Sequence, residues 1–143
     1  MTTRKTFLVS THLYLRKDDT ILLYLRKWWN QDMMYNLIAW HLDWWEDPKN
    51  ATIREAYEEA GITIKKEDLI FETVAYSMTW KWQEYIQFYF SCDKWDWEIK
   101  NMEQDRCYEM KFFLINNLPK NISPYIKKAI NDYKNWEKYG EYL

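Results

Sequence analysis

The sequence Arg-Glu-Ala-Tyr-Glu-Glu-Ala-Gly-Ile at residues 54–62 constrains this chain more than any other segment. Glu55, Glu58 and Glu59 are spaced i, i+3 and i+4, so a helix gathers their carboxylates on one face. Like charges at this spacing repel each other, and a hard divalent cation would relieve the repulsion and supply a Lewis acid. We therefore predict an acidic helix face that binds a metal ion.

The sequence also predicts where this helix begins and ends. Asp47 is a good N-cap, Pro48 suits the first helical position, and Gly61 suits the residue just beyond the last turn. The predicted helix, residues 48–60, is amphipathic, with the glutamates facing solvent and an apolar face formed by Ile53, Tyr57 and Ala60.

Residues 54–62 resemble the second half of the Nudix box, Gly-x5-Glu-x7-Arg-Glu-U-x-Glu-Glu-x-Gly-U, where U is apolar. Glu46 lies at the offset that the pattern requires, whereas Trp40 occupies the first glycine position. The resemblance implies that Glu46 and Arg54 organise the loop and helix through an ion pair. It also implies that Mg²⁺ or Mn²⁺ is bound by three box carboxylates, those of Glu55, Glu58 and Glu59.

The loop before the helix departs from the family pattern. Family members commonly read Pro-Gly-Gly-His-x-Glu/Asp-x-Gly-Glu, and this chain reads Ile-Ala-Trp-His-Leu-Asp-Trp-Trp-Glu at residues 38–46. His41 and Asp43 are retained, but small residues have become bulky. If Trp40 adopts a positive φ, it costs about 1–2 kcal/mol and shifts the metal site. The alternative is a loop that accommodates tryptophan in a new conformation.

A fourth metal ligand from outside the box is expected by resemblance. Glu103 and Glu109 flank Cys107, and either is a candidate. We favour Glu103, because residues 101–107 look like the Glu-Pro-x-Lys-Cys segment of some nucleotide-cleaving relatives. The alternative is that Glu103 is a solvated loop residue.

The pattern of apolar residues predicts an α+β fold in a single domain, residues 1–143. The resemblance implies a Nudix-like α/β/α sandwich, in which a mixed β-sheet is flanked by the box helix and a C-terminal helix. Strands are expected at residues 6–15, 21–25, 37–42, 69–78, 84–92 and 107–114, and the final helix at 125–138.

The composition is unusual, with 2 glycines and 10 tryptophans among 143 residues. Seven tryptophans form two sequence patches near the box, which indicates a substrate cleft remodelled by divergence or by design. Three roles are open for a set of six residues: a stacking platform for a flat ligand, a filled cleft, or an exposed patch that drives self-association. The set is Trp28, Trp29, Met33, Met34, Trp80 and Trp82. The predicted ligand-binding residues are Arg26, Trp28, Trp29, Trp40, His41, Trp80 and Trp82.

The net charge, the cysteines and the histidines limit which partners, cellular location and metals the sequence favours. A net charge of −2 with scattered basic residues favours neither nucleic acid nor a membrane surface. Cys92 and Cys107, without a secretory segment, indicate reduced thiols and a cytoplasmic location. The only histidines, His12 and His41, form no zinc-binding pattern.

Two functional hypotheses follow. In the first, the chain is a Mg²⁺-dependent Nudix pyrophosphohydrolase acting on a nucleoside diphosphate linked to X, including a modified nucleoside triphosphate. Its catalytic residues would be Arg54, Glu55, Glu58 and Glu59. In the alternative, the scaffold has become a binding module whose tryptophan-lined cleft takes a flat apolar ligand, with impaired catalysis. A weaker third hypothesis is an interaction protein that uses its tryptophans as interface anchors.

Overall fold

A computed structural model describes residues 3–27, 31–79 and 81–143, which form eight strands and two α-helices. The elements in chain order are β1 (Leu8–Lys17), β2 (Thr20–Arg26), β3 (Tyr35–Asn36), β4 (Ile38–His41), α1 (Pro48–Ala60), β5 (Ile70–Met78), β6 (Glu84–Cys92), β7 (Cys107–Leu114), α2 (Pro124–Lys134) and β8 (Tyr139–Tyr142). A 3₁₀ turn, Lys66–Asp68, precedes β5. Among the described residues, no helix is long and apolar enough to cross a membrane.

The strands form one mixed sheet in the order β3-β2-β1-β6-β5-β8. Strand β1 is parallel to β6, while β5 is antiparallel to β6 and parallel to β8. Strand β4 pairs with β1, and β7 pairs with β2. Strand β1 therefore joins two parts of the sheet. Most of its length pairs with β4 and β6, and only its last two residues pair with β2.

The alternation along β1 divides the core into two layers. Leu13 and Leu15 pack on one face with residues of α1, and Tyr14 packs on the other face with residues of α2. All three are at most 1% exposed. Helices therefore cover both faces, and the predicted α/β/α sandwich is confirmed.

Helix α1 begins and ends where the sequence predicts. The Asp47 side chain accepts a hydrogen bond from the Asn50 amide at 2.9 Å, and Pro48 follows as the first helical residue. Gly61 closes the helix with φ 69°, and its amide donates to the Tyr57 carbonyl at 2.9 Å. These caps satisfy free backbone groups at the two ends and define where the helix begins and ends.

Four details of the predicted fold are wrong, and one of them is the two-residue strand β3, which was not predicted. The acidic face of α1 does not point to solvent, since Glu55 and Glu59 are 3% and 7% exposed while Tyr57 is 64% exposed. The face of α1 that is buried therefore differs from the predicted one, because the helix packs through its small alanines.

Helix α2 ends at Lys134 rather than residue 138, and the chain then returns as β8, which was not predicted.

Candidate active site

Two adjoining cavities lie beside the buried face of α1. The acidic cavity, about 240 Å³, is lined by Asp43, Arg54, Glu55 and Glu58, together with four shared residues. The aromatic cavity, about 310 Å³, is lined by Tyr24, Arg26, Lys27, Cys107 and Met110, together with the same four residues. The shared residues are Trp40, Glu59, Glu103 and Arg106. The two cavities therefore adjoin each other across these four residues and differ in chemical character; together they are called the cleft.

The acidic cavity is organised by Arg54. Its Nε donates to Glu46 Oε2 at 2.8 Å and its Nη2 donates to Glu46 Oε1 at 2.9 Å. Its Nη1 donates to Glu55 and, at 3.2 Å, to Glu58. Hydrogen bonding to Arg54 lowers the pKa of Glu46. The ion pair between Glu46 and Arg54 that the resemblance implied is present, and it ties the loop before α1 to the middle of the helix.

Glu55 and Glu59 are buried in surroundings that disfavour their charged forms. Burial raises the pKa of Glu55 to about 7, although Arg54 opposes the shift. Burial also raises the pKa of Glu59 well above its usual range, with repulsion from Glu55, Glu103 and Glu58 adding to the effect. Glu59 Oε2 is buried and has no hydrogen-bond partner among the described residues. A buried carboxylate without a partner needs either a proton or a cation.

The structure separates the two candidates for the fourth ligand. The side chain of Glu103 lines both cavities, and burial raises its pKa. Its loop is held by hydrogen bonds from the Arg106 and Cys107 amides to its carbonyl, at 2.9 and 3.0 Å. Glu109 instead accepts a hydrogen bond from the Tyr35 hydroxyl and lines neither cavity. Of the two, only Glu103 is in position to act with the box glutamates.

The aromatic cavity is built by the pairing of β2 with β7. Tyr24 lies opposite Met110, and Arg26 lies opposite Cys107, so the four side chains come from paired positions on two adjacent strands. Arg26 was predicted as a ligand-binding residue, and the structure places it here. Tyr24 and Met110 were not predicted. The alternation of β2 places Tyr24 on the same face as Arg26, so this signal was present in the sequence.

Most of the predicted aromatic platform is not assembled in the cleft. Trp28, Trp29 and Trp80 lie outside the described residues. Trp82 is 81% exposed and lines neither cavity. Met33 and Met34 also line neither of the two cavities.

His41 is also outside both cavities, where its ring stacks on Tyr85 at 5.5 Å. Of the predicted tryptophans that the structure describes, Trp40 alone lines the cleft.

Trp40 does not carry the backbone strain expected of it. It lies in the extended strand β4, opposite Thr11 of β1, and is not among the described residues with positive φ. The strained residue of this loop is Trp45, with φ 65° and a side chain 99% exposed. Of the two alternatives for Trp40, the structure therefore shows the second, a tryptophan accommodated without a positive φ, because β4 holds that residue in the sheet.

The carboxylates of the acidic cavity are chemically suited to a hard divalent cation, although their present positions do not form a complete metal-binding site. In the described part of the chain, no group of three or more His, Cys, Asp or Glu side chains is close enough to hold a metal ion. The acidic cavity is nevertheless lined by five carboxylate residues besides Arg54, Arg106 and Trp40, and one of the five, Glu59, has the unpartnered Oε2. Oxygen donors and uncompensated negative charge are what Mg²⁺ and Mn²⁺ require.

Comparison with solved structures shows which fold this is. A MutT NUDIX hydrolase from Burkholderia pseudomallei matches over 90% of this chain and 98% of its own, with a TM-score of 0.82 and 21% identity. A NUDIX hydrolase from Nitrosomonas europaea matches over 94% and 93%, with a TM-score of 0.73 and 20% identity. A UDP-X diphosphatase matches over 97% and 69%, with a TM-score of 0.68 and 19% identity. No protein-family model and no curated protein sequence matches the chain significantly.

The chain therefore has the Nudix fold, and the fold that its box predicts is confirmed. The match extends over nearly the whole of the first two of these structures. Within this fold the box helix is α1, and the cleft described above lies against its buried face.

Proposed function

We propose that the chain is a divalent-metal-dependent hydrolase of nucleoside diphosphates linked to a further group X, with nucleoside triphosphates as the first substrates to test. The observation that carries this proposal is that the acidic and aromatic cavities adjoin each other and share four lining residues. One end suits a metal-bound phosphate chain, and the other suits a planar base. Such a cleft matches the two halves of a nucleotide.

Each end of the cleft has a distinct task in this proposal. Glu55, Glu58, Glu59 and Glu103 would hold Mg²⁺ or Mn²⁺, which when bound supplies Lewis acidity at the phosphates and a more acidic water. One of the box glutamates accepts the proton of the water that attacks phosphorus. Arg54 positions Glu55 and Glu58 through hydrogen bonds.

In this proposal the aromatic cavity orients the substrate. Tyr24 and Met110 offer apolar surface to a base, and Arg26 offers a cation beside it. The cavity volume of about 310 Å³ accommodates a nucleobase with its sugar. In this proposal the partner is a small nucleotide, and the protein acts in the cytoplasm.

A hydrolysis assay tests the proposal. The protein is incubated with Mg²⁺ or Mn²⁺ and a panel of nucleoside triphosphates, dinucleotides and nucleoside diphosphate derivatives, and released phosphate, pyrophosphate and monophosphate are measured. The last class is included because one structural neighbour is a UDP-X diphosphatase. Turnover that Glu58→Gln abolishes and Glu67→Gln leaves unchanged supports the proposal, since Glu67 is exposed and outside the cleft. Turnover that is insensitive to Glu58→Gln would contradict it.

A further inference from the structure

Arg106 occupies the junction between the two cavities. Its side chain is one of the four that line both, and its guanidinium lies 5.7 Å above the ring of Trp40. The backbone of Arg106 is held on two sides, because its amide donates to the Glu103 carbonyl and its carbonyl accepts from the Lys27 amide, both at 2.9 Å. The backbone that bears this guanidinium is therefore fixed by hydrogen bonds, at the junction between the acidic and the aromatic cavity.

Arg106 differs from Arg54 in its partners. Arg54 forms ion pairs with four carboxylates, those of Asp43, Glu46, Glu55 and Glu58. Arg106 makes no ion pair within 4.0 Å to any residue that the structure describes, and it is an exposed residue that lines both cavities. Its planar donors are therefore available to an incoming ligand. A guanidinium recognises phosphate through paired hydrogen bonds.

We propose that Arg106 binds the phosphate chain of the substrate where that chain crosses from the acidic cavity to the aromatic cavity. This inference rests on the proposed function, since it assumes a substrate that occupies both cavities. A nucleotide with its base beside Tyr24 and its terminal phosphates beside Glu59 passes Arg106. The guanidinium offsets the negative charge that the glutamates would otherwise present to the phosphates.

Steady-state kinetics of Arg106→Gln, with Arg106→Lys as the conservative variant, test this assignment. We expect Arg106→Gln to lower kcat/KM for a nucleoside triphosphate by about 10- to 100-fold, mainly through KM, and Arg106→Lys to restore part of the loss. The exposed Lys127→Gln on α2 is a charge-matched control. A kcat/KM of Arg106→Gln within about twofold of the wild type would overturn the assignment.

A binding measurement separates this proposal from the proposed function. Calorimetry with a non-hydrolysable nucleoside triphosphate analogue, without metal, reports binding whether or not the protein is an enzyme. Weaker binding by Arg106→Gln supports the assignment even if the wild type hydrolyses nothing. Equal binding by both proteins overturns it, and so does binding by neither.

A second inference comes from the backbone rather than the cleft. Six described non-glycine residues have positive φ, and four of them are tryptophans: Trp45, Trp82, Trp97 and Trp136, with φ from 60° to 76°. In this conformation a Cβ atom crowds the following carbonyl, so glycine is the usual occupant. The four indoles are between 76% and 99% exposed, and packing therefore does not compensate.

Trp95 shows how a tryptophan of this chain behaves when it has a structural role. It is partly buried against the core beside α1, and its ring stacks on Phe112 at 6.4 Å. It is not among the described positive-φ residues. The contrast with Trp97, two residues later, indicates that two kinds of tryptophan position exist in this sequence.

We infer that the cell that makes this protein inserts glycine at positions 45, 82, 97 and 136. The backbone there has the conformation of glycine, and the sequence contains 2 glycines but 10 tryptophans. The codon UGA is assigned to tryptophan in some translation systems and to glycine in others. A gene that uses UGA for glycine gives a tryptophan-rich, glycine-poor chain when UGA is read as tryptophan.

The gene and the native protein test this inference together. We expect UGA at all four positions, and peptide mass spectrometry of the protein from its own cells should show glycine there and tryptophan at position 95. UGG codons, or tryptophan masses at these positions, would overturn the inference.

Recombinant variants test the backbone argument separately. Trp97→Gly and Trp136→Gly should each raise Tm by about 3 °C, and Trp95→Gly should lower it. A decrease in Tm for the first two variants would contradict the assignment of these positions to glycine.

Discussion

Arg54 and Glu46 form a paired ion contact across eight residues of chain, with N–O distances of 2.8 and 2.9 Å. The two side chains are mostly buried, at 25% and 14% exposure. This contact joins the loop after β4 to the centre of α1, so it positions the backbone at the entrance of the acidic cavity. The same guanidinium also holds Glu55 and Glu58.

Replacing Arg54 by lysine should therefore impair both stability and activity. Lysine cannot reproduce the planar fork that contacts Glu46, Glu55 and Glu58. We expect a loss of about 1–3 kcal/mol in the free energy of unfolding, measured by denaturant titration. Lys66→Ala removes the exposed ion pair with Asp47 and should cost under about 1 kcal/mol. Equal losses for the two variants would contradict the importance assigned to the Arg54 network.

Glu59 should reduce stability in the absence of metal. Its buried carboxylate has an unpartnered oxygen and is surrounded by other acidic groups. Glu59→Gln should therefore raise Tm without added metal, because a neutral amide replaces a buried acid.

The same variant should lose the response to metal. Mg²⁺ or Mn²⁺ at ten times its dissociation constant should stabilise the wild type by about 1.4 kcal/mol, and Glu59→Gln by less. Glu67→Gln, on the surface, should respond as the wild type does. An unchanged metal-induced shift in Glu59→Gln would show that this carboxylate is not a ligand.

His12 should make stability depend on pH. It is 3% exposed, its ring stacks on Tyr89 at 4.5 Å, and burial lowers its pKa to about 3. The unfolded chain takes up a proton near the usual pKa of about 6.5, whereas the folded chain does not. Stability is thus unaffected above about pH 7 and falls as the pH drops from about 6.5 towards 3.

The variant His12→Phe isolates this effect, because it keeps the aromatic stack and removes the proton site. Between about pH 6.5 and 5, the wild type should lose about 1.6 kcal/mol more than His12→Phe. Urea titrations at both pH values measure the difference. Parallel pH profiles for the two proteins would mean that His12 is protonated in the folded state.

The sequence predicts most of the scaffold because its signals are local. The caps Asp47 and Gly61 define α1 to the residue, and strands β6 and β7 have their predicted bounds. Strand β8 was missed because its residues follow α2 without a turn signal. It pairs in parallel with β5, which is distant in sequence, and no local pattern reports that contact.

The site is less predictable because it depends on packing between elements. The spacing of Glu55 and Glu59 places both on one helix face, but it does not tell which face is buried. The structure buries them because Ala56 and Ala60 on the same side let the helix approach the sheet. Arg106 had no sequence signal, since its place at the cavity junction follows from the fold of an irregular loop.

Gly61 should be difficult to replace by residues with a side chain. Its φ is 69°, and an added Cβ would lie 3.3 Å from Met102 Sδ. Gly61→Ala should therefore cost about 1–2 kcal/mol of unfolding free energy, measured by denaturant titration. Gly61→Asn should cost less, because asparagine tolerates the left-handed conformation. A larger loss for asparagine than for alanine would show that crowding against Met102, and not φ, decides the effect.

Trp40 should restrict the passage between the two cavities. Its side chain lines both, and the Arg106 guanidinium lies over its ring. Trp40→Gly removes the indole at the junction and should raise kcat/KM for a nucleoside triphosphate about tenfold, since small displacements of the phosphates have large effects on rate. The same change should cost about 0.5–1 kcal/mol of stability, because glycine weakens strand β4.

Paired kinetic and unfolding measurements on Trp40→Gly separate these two effects, with Trp136→Gly as the control outside the cleft. The control should leave kcat/KM unchanged. A fall in kcat/KM for Trp40→Gly at a temperature where the variant is fully folded would show that the indole contacts the substrate favourably. Trp40 would then be part of the base-binding surface rather than an obstruction between the base and the metal site.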